Sequence, residues 1–252
     1  MAVITYEFPL NERVRTLLRL EDLYERAHYF AAKRDPEEHQ VAILSLFEIL
    51  DVAGRADLKS ELMQELERQK QHLEALRKNP SVAQETLATV LVDIEKAVVN
   101  LYATSGKTGQ ELRENDWLMS IKQRSGIPGG VCEFDLPSYH FWLNQDANHR
   151  QVDLEAWLAP FSPIRQGVHI ILKLLRESGK TSAQTAQQGM YQQTLAGRLA
   201  QMIRIRLERN IDAVPEVSAN KYALNVRFTT AGDSQRRKSE DNVPFELTFC
   251  NL

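Results

Sequence analysis

Cys132, Asp135 and His140 stand within one short stretch, GIPGGVCEFDLPSYHFW at 126–142. Their types suit nucleophilic catalysis: a thiolate attacks, an imidazole takes the proton and a carboxylate orients the ring. Closeness in sequence does not make such a triad, because its members are assembled in space. Val131, Glu133 and Asp135 alternate with Cys132 and Phe134. VCEFD therefore reads as a strand on which Cys132, in phase with Phe134, faces a core. A cysteine-dependent hydrolase or transferase using Cys132 and His140 is kept as the alternative. As a phosphate cradle, IPGG lacks the Lys-Ser/Thr that follows a P-loop. Pro128-Gly129 better suits the corners of a type II turn, with proline setting φ and glycine accepting a positive one. The remaining histidines, 28, 39, 72, 149 and 169, lie at no ligand spacing from His140, so neither a metal nor a cofactor is expected.

The second chemistry on offer is cationic. At about 100° per residue, Arg15, Arg19 and Arg26, with Asp22, share one face of a predicted first helix. Leu17, Leu20 and Tyr24 lie opposite. A predicted fifth helix adds Arg113, Lys122 and Arg124 just before IPGG. If the two helices are neighbours, these groups and His140 line a basic groove suited to an acidic peptide or a carboxylate terminus. A further set, Arg204, Arg206, Lys221 and Arg227, occupies the polar phases of predicted strands. A solvated sheet face is its commoner meaning. A nucleic-acid binder using these arginines is a third reading, against which the net charge of -3 argues weakly.

Elements must position these groups. Between Asn11 and Ser105 the only glycine is Gly54 and the only prolines are Pro36 and Pro80, all at natural breaks. Four helices follow: one from an Asn11 N-cap, then 37–52, 55–78 and 82–104. Leu17, Leu20, Tyr24, Ala27 and Ala31 line the first; Ile43, Leu46, Phe47 and Leu50 the second; Leu62, Leu66, Leu73 and Leu76 the third. Leu87, Val90, Leu91, Ile94, Ala97, Val98 and Leu101 line the fourth, and a fifth helix spans 108–124. Short breaks predict an antiparallel bundle. Further on, Ile203, Ile205 and Leu207, then Tyr222, Leu224, Val226 and Phe228, then Phe245, Leu247 and Phe249, alternate with polar residues. That period of two predicts half-buried antiparallel strands. VITYEFP near the N-terminus alternates too and is expected to join the same sheet. Residues 182–195 read as one extended strand, 150–159 and 163–178 as helices, and TAGDSQRRKSEDN at 230–242 as a mobile loop. The expected fold is α+β: an N-terminal antiparallel helical bundle domain over 9–125, and a β-rich domain of 1–8 and 126–252 with packed helices and a C-terminal antiparallel sheet.

Composition bounds the class. With 252 residues, 43% hydrophobic and 26% charged, the chain is ordinary for a globular protein. Two cysteines are too few for a secreted disulfide scaffold. No apolar run approaches the roughly 18 residues that span a bilayer. MAVITYEFPLNE lacks the basic start and apolar core of a signal peptide, so a cytoplasmic protein is expected.

PLNERVRTLLRLEDL at 9–23 and SGIPGGVCEFDLPSYHFWL at 125–143, with LRE at 112–114 and IKQR at 121–124 between them, resemble the ZapD family of bacterial cell division proteins. The resemblance implies a helical part followed by a β-rich part, a homodimer and no catalysis. It implies binding to the C-terminal tail of the tubulin-like protein FtsZ, and cross-linking and bundling of FtsZ filaments at the midcell division ring. Neither nucleic acid nor membrane enters as a partner. The family's tail site is a basic pocket, matched here by Arg19 in LLRLE and His140 in DLPSYHFWL. After LRE, where other members can carry another basic residue, this chain has Asn115-Asp116-Trp117, leaving Lys122 or Arg124 to compensate. IPGG would then be a hinge that places His140 beside the basic helices.

Overall fold

The first helix, α1 (Glu12–Ala31), begins where Asn11 Oδ1 accepts the Val14 amide at 2.8 Å. That side chain satisfies one of the amides a helix start leaves without a partner. The computed structural model describes every residue except 1, 56, 105, 196, 198, 231–238 and 240. The expected loop at 230–242 thus lies largely outside the described residues. The chain forms two compact units, Arg19–Ile171 on the one hand and Met1–Leu18 with Leu172–Leu252 on the other. The fold is α+β.

The unit of residues 19–171 is helical. It holds most of α1, then α2 (Pro36–Ala53), α3 (Leu58–Ala75), α4 (Gln84–Ala103), α5 (Gln110–Arg113), α6 (Asp116–Ser125), α7 (Pro137–Leu143), α8 (Ala147–Leu158) and the start of α9 (Ser162–Glu177). Asp35 caps α2 by accepting the Glu37 amide at 2.9 Å, with Pro36 in the first turn, where its missing N–H costs nothing. The apolar stripes mostly point inward, although Leu73 and Leu76 at the end of the third, and Val90 and Val98 at the edge of the fourth, are only half-buried. Leu20, Tyr24, Ala27, Ile43, Leu46, Leu50, Leu62, Leu66, Leu91, Ile94 and Leu101 are all buried.

Two expectations for this unit need correction. The fifth helix is two helices, because Asn115 leaves the helical path and caps α6, its Oδ1 accepting the Leu118 amide at 3.0 Å. VCEFD is not a strand. Cys132 N donates to Gly129 O, and the Asp135 and Leu136 amides both donate to Cys132 O at 3.0 Å, so the segment is a series of turns. A period of two has no meaning there, and Cys132 is exposed rather than core-facing, as is Phe134 at 79%. The turn before it does form, with Gly129 at φ +69°.

The other unit carries two antiparallel sheets. One has the order β1-β4-β7-β2, from Val3–Pro9, Met202–Glu208, Val243–Cys250 and Lys180–Ala186; the other has β3-β6-β5, from Met190–Thr194, Ala223–Thr229 and Val214–Ala219. The N-terminal strand joins the C-terminal ones, with Ile4 opposite Leu207, Tyr6 opposite Ile205 and Phe8 opposite Ile203. Ile203, Ile205, Leu207, Leu224, Val226, Phe228, Phe245 and Leu247 form the shared core, with the Phe228 and Phe245 rings 5.1 Å apart. Tyr222 departs from its expected phase. It precedes β6 and is 66% exposed. Residues 182–195 are two strands, not one. Gln188 and Gly189 both take positive φ, 48° and 69°, and turn the chain from one sheet into the other. A Cβ on Gly189 would stand 2.5 Å from Ser239 O, which leaves no room for any other residue.

Candidate functional site

α7 shows how the motif DLPSYHFWL positions its histidine. Leu136, Tyr139 and Trp142 recur every third residue and are buried, so His140 and Phe141 are left facing outward. The inward face meets the chain's three tryptophans in one cluster. Trp142 lies 6.0 Å from Trp117 and 5.6 Å from Trp157, and stacks on Tyr139 at 6.1 Å. The indoles are also tethered: Trp142 Nε1 donates to Asp153 at 2.8 Å and Trp117 Nε1 to Ser138 Oγ at 3.1 Å. Beyond α7, the 3%-exposed Arg150 locks the chain. Its guanidinium donates to the carbonyls of Leu143 (2.8 Å), Gln145 and Arg34 (2.7 Å), and to His39 Nδ1 (2.9 Å). His39 Nε2 lies 2.8 Å from Lys33 O, so it must donate there, and the ring is neutral with Nδ1 accepting. Burial first, then the charge of Arg150, hold its pKa below the usual histidine value.

The cationic residues of this unit fall into two groups. Arg26, Arg113 and Lys122 converge on the last turns of α2. Arg26 donates to Ser45 Oγ (3.0 Å) and Glu48 (2.8 Å), Arg113 to Leu50 O (2.5 Å), and Lys122 pairs with Asp51 (2.5 Å). Arg113 thereby caps the carbonyl end of α2, where a cation also meets the negative end of the helix dipole. Arg124 and His140 flank the turns after IPGG, facing Asp135 at 3.4 Å and Glu133 at 3.8 Å. Arg19 is exposed on α1. Arg15 belongs to the other unit, where it pairs with Glu12 at 3.1 Å.

Several of these pairs are open to solvent. Lys122 and Asp51 are 27% and 57% exposed, and His140 and Glu133 are 51% and 70%. Such pairs are worth about 0–1 kcal/mol, so exchanging the internal carboxylate for an incoming one costs little. Of the sheet arginines, Arg204 is the one held more firmly, its side chain 26% and that of Glu7 17% exposed. Glu7 is gripped by Arg176 through both oxygens, at 2.9 and 2.8 Å, and stands 3.0 Å from Arg204 Nε. Arg206 pairs with Glu246 at 2.8 Å, Lys221 lies over the Tyr222 ring, and Arg227 is exposed opposite Glu216.

No hydrogen bond joins Cys132 to His140. The thiol donates to Gly129 O at 2.8 Å, while His140 Nε2 lies near Glu133 and Asn144. Among the described residues no group of three or more His, Cys, Asp or Glu could hold a metal, and no helix is long and apolar enough to cross a membrane. The sequence reading did not find the Arg150–His39 lock, whose partners lie 111 residues apart. It also missed the aromatic cluster, although the spacing of Leu136, Tyr139 and Trp142 carries a signal for it.

Comparison with known proteins places this geometry in a family. A family profile described as "ZapD: Cell division protein" matches residues 18–227. Three relatives, each named "Cell division protein ZapD", are 55% identical to the chain. They come from Azoarcus sp. (strain BH72), Aromatoleum aromaticum and Dechloromonas aromatica. In each case 99% of this chain is covered, with 100%, 98% and 100% of the relative. A match of that length and identity, across both the helical and the β-rich unit, establishes that the chain belongs to the ZapD family of cell division proteins.

Proposed function

We propose that this chain binds the C-terminal tail of FtsZ and, as a homodimer in the cytoplasm, cross-links FtsZ filaments at the midcell division ring. The observation that carries the reading is full-length membership of the ZapD family, joined to the two sequence blocks, 9–23 and 125–143, in which Arg19 and His140 stand. The role is a scaffold's and needs no chemistry at Cys132. The proposed tail-binding residues are Arg15, Arg19, Arg26, Arg113, Lys122, Arg124 and His140. The exposed, weakly held ion pairs of Lys122, Arg124 and His140 support the reading, since a tail carboxylate can replace Asp51, Asp135 or Glu133 at small cost. Arg113, bonded to a backbone carbonyl inside the unit, acts mainly by holding α2 in place.

Weak single-tail binding becomes strong bundling through two linked sites, since avidity multiplies affinity by about 10²–10⁴. Low-speed pelleting of FtsZ filaments by this chain tests the function directly. Filaments of full-length FtsZ should pellet with it, and filaments lacking the tail should not. Equal pelleting of both would overturn the reading. Arg19→Glu should weaken tail binding, because a hydrogen bond to a charged group contributes about 1.5–3 kcal/mol. Bundling should then collapse more steeply than single-tail affinity, and rising salt should weaken both.

A further inference from the structure

Packed helices ordinarily meet through apolar stripes. α1 and the start of α9 depart from that pattern. A cavity of about 380 Å³ lies between them, and its lining belongs entirely to the helical unit. One wall is Glu21, Tyr24 and Glu25 of α1; the other is built on Ser162, Arg165 and Gln166 of α9. Both triplets have the spacing i, i+3, i+4, which puts the three side chains on one helix face. The two facing stripes are therefore polar and carry both signs of charge. The volume falls within the range of small-molecule sites, about 300–1,000 Å³.

Tyr24 is 2% exposed, and its hydroxyl has no hydrogen-bond partner among the described residues. Leaving a buried hydroxyl unpaired is costly. The charge felt at the phenol is that of Arg165 on the facing wall, so the hydroxyl end of the ring lies toward the cavity. Burial pushes the phenol pKa up, which keeps the group an O–H donor at neutral pH. Arg165 and Glu25 are exposed, and neither enters a hydrogen bond or ion pair with another described residue.

These groups select the class of ligand. A lone anion would meet Arg165 but be repelled by Glu21 and Glu25, and a lone cation would meet the reverse. A small molecule carrying both charges a short distance apart satisfies both walls. The carboxylate of an α-amino acid matches the fork of a guanidinium, and its ammonium suits a carboxylate. We infer that this cavity binds a free polar α-amino acid, its carboxylate on Arg165 and the Tyr24 hydroxyl, its ammonium on Glu25 and its side chain toward Ser162 and Gln166. The site stands apart from the FtsZ reading and does not depend on it.

Thermal melts of the whole chain with each common L-amino acid at millimolar concentration find the ligand, since a ligand of the folded state raises the melting temperature. Calorimetric titration then gives its affinity. At least one amino acid should shift the melt saturably, while acetate and methylammonium, which carry one charge each, should not. Arg165→Met and Glu25→Gln should each lower the affinity about ten-fold or more. Tyr24→Phe should lower it about ten-fold without lowering the melting temperature of the unliganded chain, because it removes a buried hydroxyl that has no partner. A wild type that responds to no amino acid would overturn the inference, as would unchanged affinity in Arg165→Met and Glu25→Gln. An equal response to acetate would overturn the two-charge assignment. A Tyr24→Phe chain that melts below the wild type yet binds the amino acid unchanged would make the hydroxyl a structural group and remove it from the site.

Discussion

Arg150 anchors the segment that follows the His140 helix, and its removal has a calculable effect. Arg150→Met keeps most of the side-chain volume and deletes the guanidinium. Four acceptors then lose their donor: the carbonyls of Leu143, Gln145 and Arg34, and His39 Nδ1. Each hydrogen bond to a charged group contributes about 1.5–3 kcal/mol. The sum overstates the loss, because burying the guanidinium costs several kcal/mol that the variant no longer bears. Breaking a buried charged network by removing one partner typically costs about 3–5 kcal/mol. At roughly 2–4 °C per kcal/mol for a chain of this size, the melting temperature should fall by about 6–20 °C. Arg150→Lys should recover little, since an ammonium cannot fork to three carbonyls and an imidazole at once. Thermal melts followed by circular dichroism, with tryptophan fluorescence reporting the neighbouring aromatic cluster, measure both variants. An Arg150→Met melt within 2 °C of the wild type would refute the claim that this residue holds the chain around α7.

Acid should weaken both the Arg150 network, through His39, and the packing of His28 on α1. His39 and His28 both have pKa values held below the ordinary 6.5, chiefly by burial and further by Arg150 and Arg165 respectively. The unfolded chain therefore takes up protons more readily, so stability is fully present above about pH 6.5 and is lost progressively as pH falls from there through the lower folded-state values. Melting temperatures that stay level between pH 7 and pH 5 would contradict this. The two free cysteines should differ in reactivity. Exposed Cys132 should react at once with a thiol reagent, and buried Cys250, whose pKa burial raises, only on unfolding. Two fast thiols in the native protein would be the contrary result. Gly54→Ala should destabilise by about 1–3 kcal/mol through overpacking. Its Cβ would stand 2.1 Å from Arg113 Nη2 and 2.7 Å from Leu50 O, and the carbonyl cannot move aside. A melting temperature unchanged by Gly54→Ala would count against the Arg113 cap.

The candidate site was partly legible in advance. Arg15 and Arg19 were expected on an exposed helix face and are found there, because a period of 3.6 residues is written in Leu17, Leu20 and Tyr24 beside them. His140 was legible as part of a motif, but its surroundings were not. The strand expected over VCEFD rested on five residues, too few to tell alternation from chance, and turn hydrogen bonds won over the weak pattern.

The sequence by itself determined the helices of residues 12–103, the alternating strands and the fold class, because apolar periodicity and capping residues act within a few positions of chain. Asn11 and Asp35 cap their helices through contacts two or three residues away. Only the tertiary structure decided which cations share a neighbourhood. Arg113 reaches Leu50 across 63 residues, Lys122 reaches Asp51 across 71, and Arg150 reaches His39 across 111. The same holds for β5, which pairs with β6 alone among the described residues. A strand's alternation declares that it will pair, but whether one side or both are paired depends on where the rest of the chain has gone.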